Sequence, residues 1–364
     1  MLQQLHLRQF RNYEKLDAEL YPGINLVHGA NGQGKTNLLE AVYFLSLLRS
    51  FRTAQVRDLC RWGQRSFILR ARVGQDPTAT ELGVEHGESR RLRVNGERIS
   101  RASEFISRYL TVAFIPEDID LVKGPASGRR RFLDITLTQL TPVFMTALQE
   151  YNHALRSRNQ LLRTEAPAES ALGAFEEILA GRGAELVRQR HAFFAALQPH
   201  LEAAAEQIMP AGAAFALRYQ PSIAPTDGSD VDELREHLLQ AFAGNRRRDL
   251  SRGLTTAGPH RDDFGLVLDG KRLANYGSEG QCRLAAMTLK LAKSRLMQER
   301  NPRQHVVTLV DDVIGELDAR GRHAFFSAFG EDSQVLVAAT DPGVLASIPT
   351  AQRLAVADGT VQPG

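Results

Sequence analysis

The stretch that most constrains this chain is "GANGQGKTN" at residues 29 to 37. It satisfies the pattern G-x-x-x-x-G-K-[ST] through Gly29, Gly34, Lys35 and Thr36. Glycines let a backbone wrap closely round an anion, and a helix that follows presents free amides and the positive end of its dipole. The apolar run "INLVHG" before the loop reads as a strand, and "KTNLLEAVYFLSLL" after it has the spacing of a buried helix. Strand, loop and helix in that order predict a phosphate cradle made of Gly29, Ala30, Asn31, Gly32, Gln33, Gly34, Lys35 and Thr36. In such a cradle Lys35 reaches the β and γ phosphates of ATP, and the Thr36 hydroxyl ligates Mg²⁺. Lysine stands at only six positions (15, 35, 123, 271, 290 and 293), and arginine supplies the rest of the 45 cations. A lysine at this loop therefore points to a need for a compact point charge rather than a planar fork.

A loop of this kind needs a carboxylate at the end of a neighbouring buried strand. "VVTLVDD" offers Asp311 as the Mg²⁺ partner and Asp312 as the group that orients or deprotonates an attacking water. An acidic pair at a strand end is ordinarily just solvated; the apolar strand and the phosphate loop give this one its meaning. A second glycine-flanked loop, "NYGSEGQCR" at 275 to 283, opens another helix and also has the make-up of an anion site. One chain with two such loops poses a question that a single bound nucleotide does not answer.

With 364 residues the chain can form two domains or one domain with a large insertion. Hydrophobic content of 43% and charged content of 24% are those of an ordinary globular protein. Cys60 and Cys282 are too few for a disulfide framework and have no metal-ligand spacing, which suits a reducing cytosol. The N-terminus lacks the apolar core of a secretory signal, and "AVYFLSLL" is too short to span a membrane, so a cytoplasmic location without membrane association is expected. Net charge is only +3, so any nucleic-acid footprint must be local. Candidate basic clusters are Arg129, Arg130 and Arg131; Arg156, Arg158 and Arg163; and Arg246, Arg247 and Arg248. Each reads equally well as a solvated helix face or as half of internal salt bridges. With no aromatic-studded strand, DNA contact is expected through the backbone, with little sequence preference.

The expected class is α/β, a nucleotide-binding head of mixed sheet plus an antiparallel sheet with a helical second lobe. "LQQLHLRQF" and "INLVHG" read as a strand pair, and residues 66 to 99 as further antiparallel strands with a turn at Asn95-Gly96. Between about 128 and 208 a stripe of Leu137, Leu140, Phe144, Leu148, Tyr151, Leu155 and Leu162 predicts helices. Pro142 begins a new helix or kinks the old one, and residues 142 to 163 would span about 33 Å. "TEAPAES" turns the chain into a return helix, which reads as an antiparallel hairpin inserted into the head, with an ordinary all-helical subdomain as the alternative. Residues 1 to 125 and 300 to 364 would form the ATP-binding lobe, and 126 to 299 the second lobe with the hairpin and the Ser278 loop.

"YGSEGQ" about a helix before "VDDVIGELD" resembles the signature, Walker B and D-loop series of ABC-type ATPases. "FRNY", "GKTNLLEAVYFL", "RSFR", "FIPEDIDLVKGPASGRRRFLD" and "GPHRDDF" are similar in order and content, over essentially the whole chain, to the RecF family of bacterial recombination and repair proteins. The resemblance implies that Ser278, Gly280 and Gln281 complete the nucleotide site of a second copy, so that ATP closes a homodimer. It further implies DNA binding, action with RecO and RecR to direct RecA loading at single-strand gaps, and a part in replication and SOS induction. Departures from the wider ABC pattern are Glu279 at the central signature glycine, Asp312 for a catalytic glutamate, and Thr340 and Asp341 near the switch histidine. No clear Q-loop glutamine is found; Glu117 or Asp118 occupies that region. A shorter carboxylate and a missing histidine hold water less well, so a weak, DNA-stimulated ATPase is expected. Other classes stay open at this point: a transporter-associated ATPase, disfavoured by the helical insert, and a metabolic P-loop kinase, which has no need of the Ser278 loop.

Overall fold

A six-stranded, largely parallel sheet forms around the apolar runs that flank the phosphate loop and Asp311. The computed structural model describes residues 1–363 apart from 76, 107, 166, 224–229, 303, 305, 331–332 and 347. The chain divides into two units, one comprising Met1–Asp118, Ala203–Pro210 and Ala286–Gly364, the other Ile119–Glu202 and Ala211–Ala285.

In the first unit the strand order is Thr360–Pro363, Gln352–Ala357, Gly23–His28, Gln334–Ala339, Val306–Asp311, Leu110–Phe114. All neighbours are parallel except the terminal hairpin. Val306–Asp311 and Gln334–Ala339 are buried at every position, as continuous apolar runs in a covered parallel sheet must be. A second sheet is wholly antiparallel, in the order Tyr13–Glu19, Leu2–Phe10, Phe67–Val73, Thr80–His86, Arg91–Val94, Glu97–Ile99. Asn95 and Gly96 turn its last hairpin, both with positive φ (51° and 82°).

Here one expectation is corrected. The first strand pairs with Tyr13–Glu19, not with "INLVHG", which joins the other sheet. The alternation of buried Leu16 and Ala18 with exposed Lys15, Asp17 and Glu19 carries that strand's signal. The buried Gln334 ties the sheets together, its amide bonding both the N–H (2.7 Å) and the C=O (2.7 Å) of Leu2. Helix Lys35–Leu47 lies between the two sheets and is buried nearly all round, which is why its sequence is apolar on every face rather than on one stripe.

The second unit holds helices Ala126–Leu140, Pro142–Leu161 and most of Glu169–Ile208, as well as Val231–Arg252. Pro142 starts a new helix at its first turn after Thr141. The hairpin is present, and a third long helix, Val231–Arg252, joins it through a buried ion cluster. Arg158 is fully buried, donates to Glu176 (2.9 Å) and Asp249 (2.8 Å), and lies over the Phe242 ring. The return helix continues through Pro199, where buried Leu197, Leu201 and Ala204 keep the apolar stripe going. Strands Phe215–Gln220, Asp263–Leu268 and Lys271–Arg272 form a small antiparallel sheet. No helix among the described residues is long and apolar enough to cross a membrane.

"GPHRDD" is the keystone of this second unit. Asp262 is fully buried and accepts from Arg190 (2.8 Å), the Tyr219 hydroxyl (2.7 Å) and the Ser222 N–H (2.8 Å). Asp263 takes a bidentate fork from Arg129 at 2.6 and 2.9 Å. His260 Nε2 donates to the Thr255 carbonyl at 3.0 Å, and in the neutral ring Nδ1 accepts from the Tyr151 hydroxyl at 2.7 Å. Burial pushes that imidazole down to about 4. Because the folded state resists protonation while the unfolded chain does not, this contribution is complete above the unfolded value and lost as pH falls through the folded one. Unfolding free energy should drop by about 2 kcal/mol between roughly pH 7 and pH 5 on this account, and His260→Gln should flatten that part of the profile in urea titrations.

Candidate functional site

The phosphate loop leaves the C-terminal end of Gly23–His28, at the edge where open α/β sheets hold their ligands. Its shape is set from three sides. Below it, a Cβ on Gly29 would stand 2.2 Å from the Val356 carbonyl oxygen. Behind it, Gly34 has φ 121°, and a Cβ there would lie 2.6 Å from the Asn12 amide. Asn12 donates to Gln33 O (2.7 Å), Tyr13 donates to Gly34 O (2.9 Å), and Asn37 donates to Asn12 (2.8 Å). On the far side, Asp358 N–H donates to Gln33 Oε1 (2.6 Å) and Thr340 donates to Asn31 (2.8 Å).

The "FRNY" stretch therefore buttresses the cradle, a role that sequence reading missed although it noted the motif. Its Arg11 forks onto Glu40 at 2.7 and 2.8 Å. Glu40 is fully buried in the helix after the loop and also accepts from Ser50 at 2.5 Å. Arg52 of "RSFR" donates to Asn37 (2.8 Å), so it steadies the same helix. Arg11→Met would leave Glu40 to Ser50 and a distant Arg52 (3.9 Å). The loss should cost about 1–3 kcal/mol of stability, read by thermal unfolding, and weaken ATP binding severalfold by calorimetry.

Lys35 is buried, with Nζ donating to the loop carbonyls of Gly29 (2.8 Å) and Ala30 (3.0 Å). Thr36 Oγ1 donates to Asp311 Oδ1 at 2.9 Å, joining residues 275 apart in sequence. Burial raises the Asp311 carboxyl to about 6, with the bond from Thr36 opposing and the Asp312 charge adding to it. Two hard oxygens side by side suit Mg²⁺, which takes one or two protein oxygens and fills the rest of its shell with phosphates and water. No cluster of three or more His, Cys, Asp or Glu able to hold a metal exists among the described residues.

Asp312 is exposed and left-handed (φ 55°), a conformation that costs energy in a non-glycine residue and recurs at functional positions. Asp118, one candidate for the Q-loop region, is held by Lys290 and by the Ile115 N–H (2.8 Å). Glu117 is exposed and close enough for its charge to raise the Asp311 carboxyl.

The Ser278 loop belongs to the second unit. Ser278 and Gln281 form a reciprocal capping box: Gln281 N–H donates to Ser278 Oγ (3.2 Å) and Ser278 N–H to Gln281 Oε1 (2.9 Å). Ser278, Glu279 and Gly280 are exposed at the start of helix Glu279–Arg300. Glu279 turns back along the helix to Arg283 (2.6 Å), away from the helix end. Gly277 is required for space, since a Cβ would stand 2.8 Å from both Cys282 Sγ and the Leu273 carbonyl oxygen. Of the basic clusters, Arg129, Arg130, Arg158 and Arg246 are engaged in internal bonds, and Arg163, though exposed, donates to Gly253 O at 3.2 Å. Arg131, Arg156, Arg163, Arg247 and Arg248 are exposed.

Residues 1–362 match the family model described as the RecF/RecN/SMC N-terminal domain. The DNA replication and repair protein RecF of Streptomyces avermitilis is 38% identical over 373 residues, covering 98% of each chain. That of Halalkalibacterium halodurans is 35% identical, covering 93% of this chain and 92% of its own. A solved structure described as the recombination mediator protein RecF-ATPrS in the RecFOR pathway superposes with TM-score 0.92 at 29% identity, over 100% and 98% of the two chains. An Smc head domain from Pyrococcus furiosus shares the fold alone, with TM-score 0.56 at 17% identity. Full-length similarity to RecF proteins, a matching family model and the ATPase-head fold agree, and the chain belongs to the RecF family.

Proposed function

We propose that this chain is an ATP-gated, DNA-binding recombination mediator of DNA repair and replication. The observation that carries the reading is the direct pairing of Thr36 with Asp311 beside a complete phosphate loop, in a chain that also presents an exposed Ser278 helix end. Backbone amides from Gly29 to Thr36 would wrap the ATP phosphates, Lys35 would exchange the loop carbonyls for the β and γ oxygens, and Thr36 and Asp311 would hold Mg²⁺. When bound, the metal neutralises phosphate charge. Asp312 orients the attacking water; with Thr340 where ABC-type ATPases carry a switch histidine, hydrolysis is slow and serves to reset the protein.

Ser278, Gly280 and Gln281 of a second copy cap the γ phosphate, so ATP joins two copies head to head. That is why one chain carries two anion loops. Phosphate contact with DNA falls to exposed cations. The outward face of the antiparallel sheet bears Arg8, Arg70, Arg72 and Arg98, and such contacts make affinity salt-dependent. RecO and RecR are the proposed protein partners, with RecA loading at single-strand gaps and SOS induction downstream, in keeping with the RecFOR setting of the similar structure. Light scattering with Mg²⁺ and a slowly hydrolysed ATP analogue should show a monomer becoming a dimer, with DNA affinity rising in step. A protein that stays monomeric with nucleotide bound would refute the gating.

A further inference from the structure

The chain's single tryptophan, Trp62, is 98% exposed. It does not sit on a loose loop. Gln64 N–H donates to Arg61 O (2.8 Å) across a turn in which Gly63 takes φ 80°. Arg61 N–H donates to Gln9 O (2.8 Å), Arg11 N–H to Leu59 O (2.8 Å), and Cys60 bridges to Phe10. The Arg11 guanidinium holds Asp58 O (2.8 Å) with the same fork that grips Glu40. The backbone that carries this large flat indole into water is thus held on both sides of the turn.

The surroundings are basic. The Arg57 and Arg61 side chains are 80% and 38% exposed, and their acidic neighbours, Asp58 at 3.9 Å and Glu14 at 3.2 Å, are themselves well solvated. Arg65 is exposed and makes no ion pair among the described residues.

We infer that Trp62 is a stacking platform for one unpaired nucleobase, with Arg57, Arg61 and Arg65 on the flanking phosphates. A base inside a duplex already stacks on both faces and offers the indole nothing, whereas single-stranded DNA presents a free face, and flanking cations then hold the backbone. The inference rests on the DNA-binding reading above and adds to it a site selective for single strand.

The sole tryptophan makes the test direct. Full-length protein, with Mg²⁺ and an ATP analogue, is titrated with short oligothymidylate while indole emission and the anisotropy of labelled DNA are followed together. Emission should be quenched as DNA binds. Trp62→Ala should weaken single-strand binding about tenfold and leave duplex binding unchanged, and Trp62→Phe should keep most of the affinity. Unchanged emission on bound DNA, or wild-type affinity in a Trp62→Ala variant of unchanged melting temperature, overturns the stacking site and leaves the mediator reading standing. Emission that responds to the analogue alone and no further to DNA assigns the indole to the contact between copies and also overturns it. Absence of any DNA binding at low salt removes both.

Discussion

Lys35→Met should abolish ATP binding and, with it, closure of the dimer. Its ammonium is the loop's one cation, held by the Gly29 and Ala30 carbonyls at 2.8 and 3.0 Å. Hydrogen bonds to charged groups contribute about 1.5–3 kcal/mol each. Two lost contacts on the β and γ phosphates therefore correspond to roughly a hundredfold or greater loss of affinity. Ser278→Arg should behave differently. Ser278 makes no contact with the copy's own loop in this reading, so calorimetry should find ATP affinity near the wild type while light scattering finds no dimer. Both variants should lose ATP hydrolysis, for opposite reasons.

Asp262→Ala should destabilise the second unit by about 3–5 kcal/mol, because breaking a buried pair leaves the other charge uncompensated. Arg190 is 2% exposed, and without Asp262 it keeps Asp134 (2.8 Å) and the Pro259 carbonyl (2.6 Å). The Tyr219 hydroxyl and the Ser222 N–H lose their acceptor as well. Asp134→Ala is the milder control, since that side chain is 25% exposed and water can replace part of what it does. Chemical unfolding followed by circular dichroism separates the two. Lys35 and its neighbours belong to the other unit, so nucleotide affinity of Asp262→Ala should stay close to normal at low temperature.

Local pattern made much of the head readable. The glycine loop, the apolar central strands and the Asn95-Gly96 turn each announce themselves within a few residues. What pattern could not give was partnership. The first strand's true neighbour, Tyr13–Glu19, is far more charged than the apolar "INLVHG" that follows it. The role of Asn12 and Tyr13 behind Gln33 and Gly34 depends on a contact across 21 positions, for which a single sequence holds no signal beyond an unexplained motif. Arginine clusters mislead for the same reason. Arg158 and Arg129 look like surface charge until the acids that bury them, Asp249 and Asp263, are brought in by the fold. Glu279 is the converse case. An acidic residue departs from the ABC pattern at the central signature glycine, and its i+4 partner in the same helix, Arg283, takes up its charge.

The central claim is that each nucleotide site is built from Lys35 of one copy and Ser278 of the other, and a mixing experiment tests it most directly. Lys35→Met and Ser278→Arg proteins, each inactive alone, are combined with ATP and DNA. A mixed dimer pairs the intact Lys35 of one variant with the intact Ser278 of the other, so one complete site returns, and the account predicts that dimerisation and hydrolysis recover on mixing. Activity no greater than the sum of the two separate variants would contradict it.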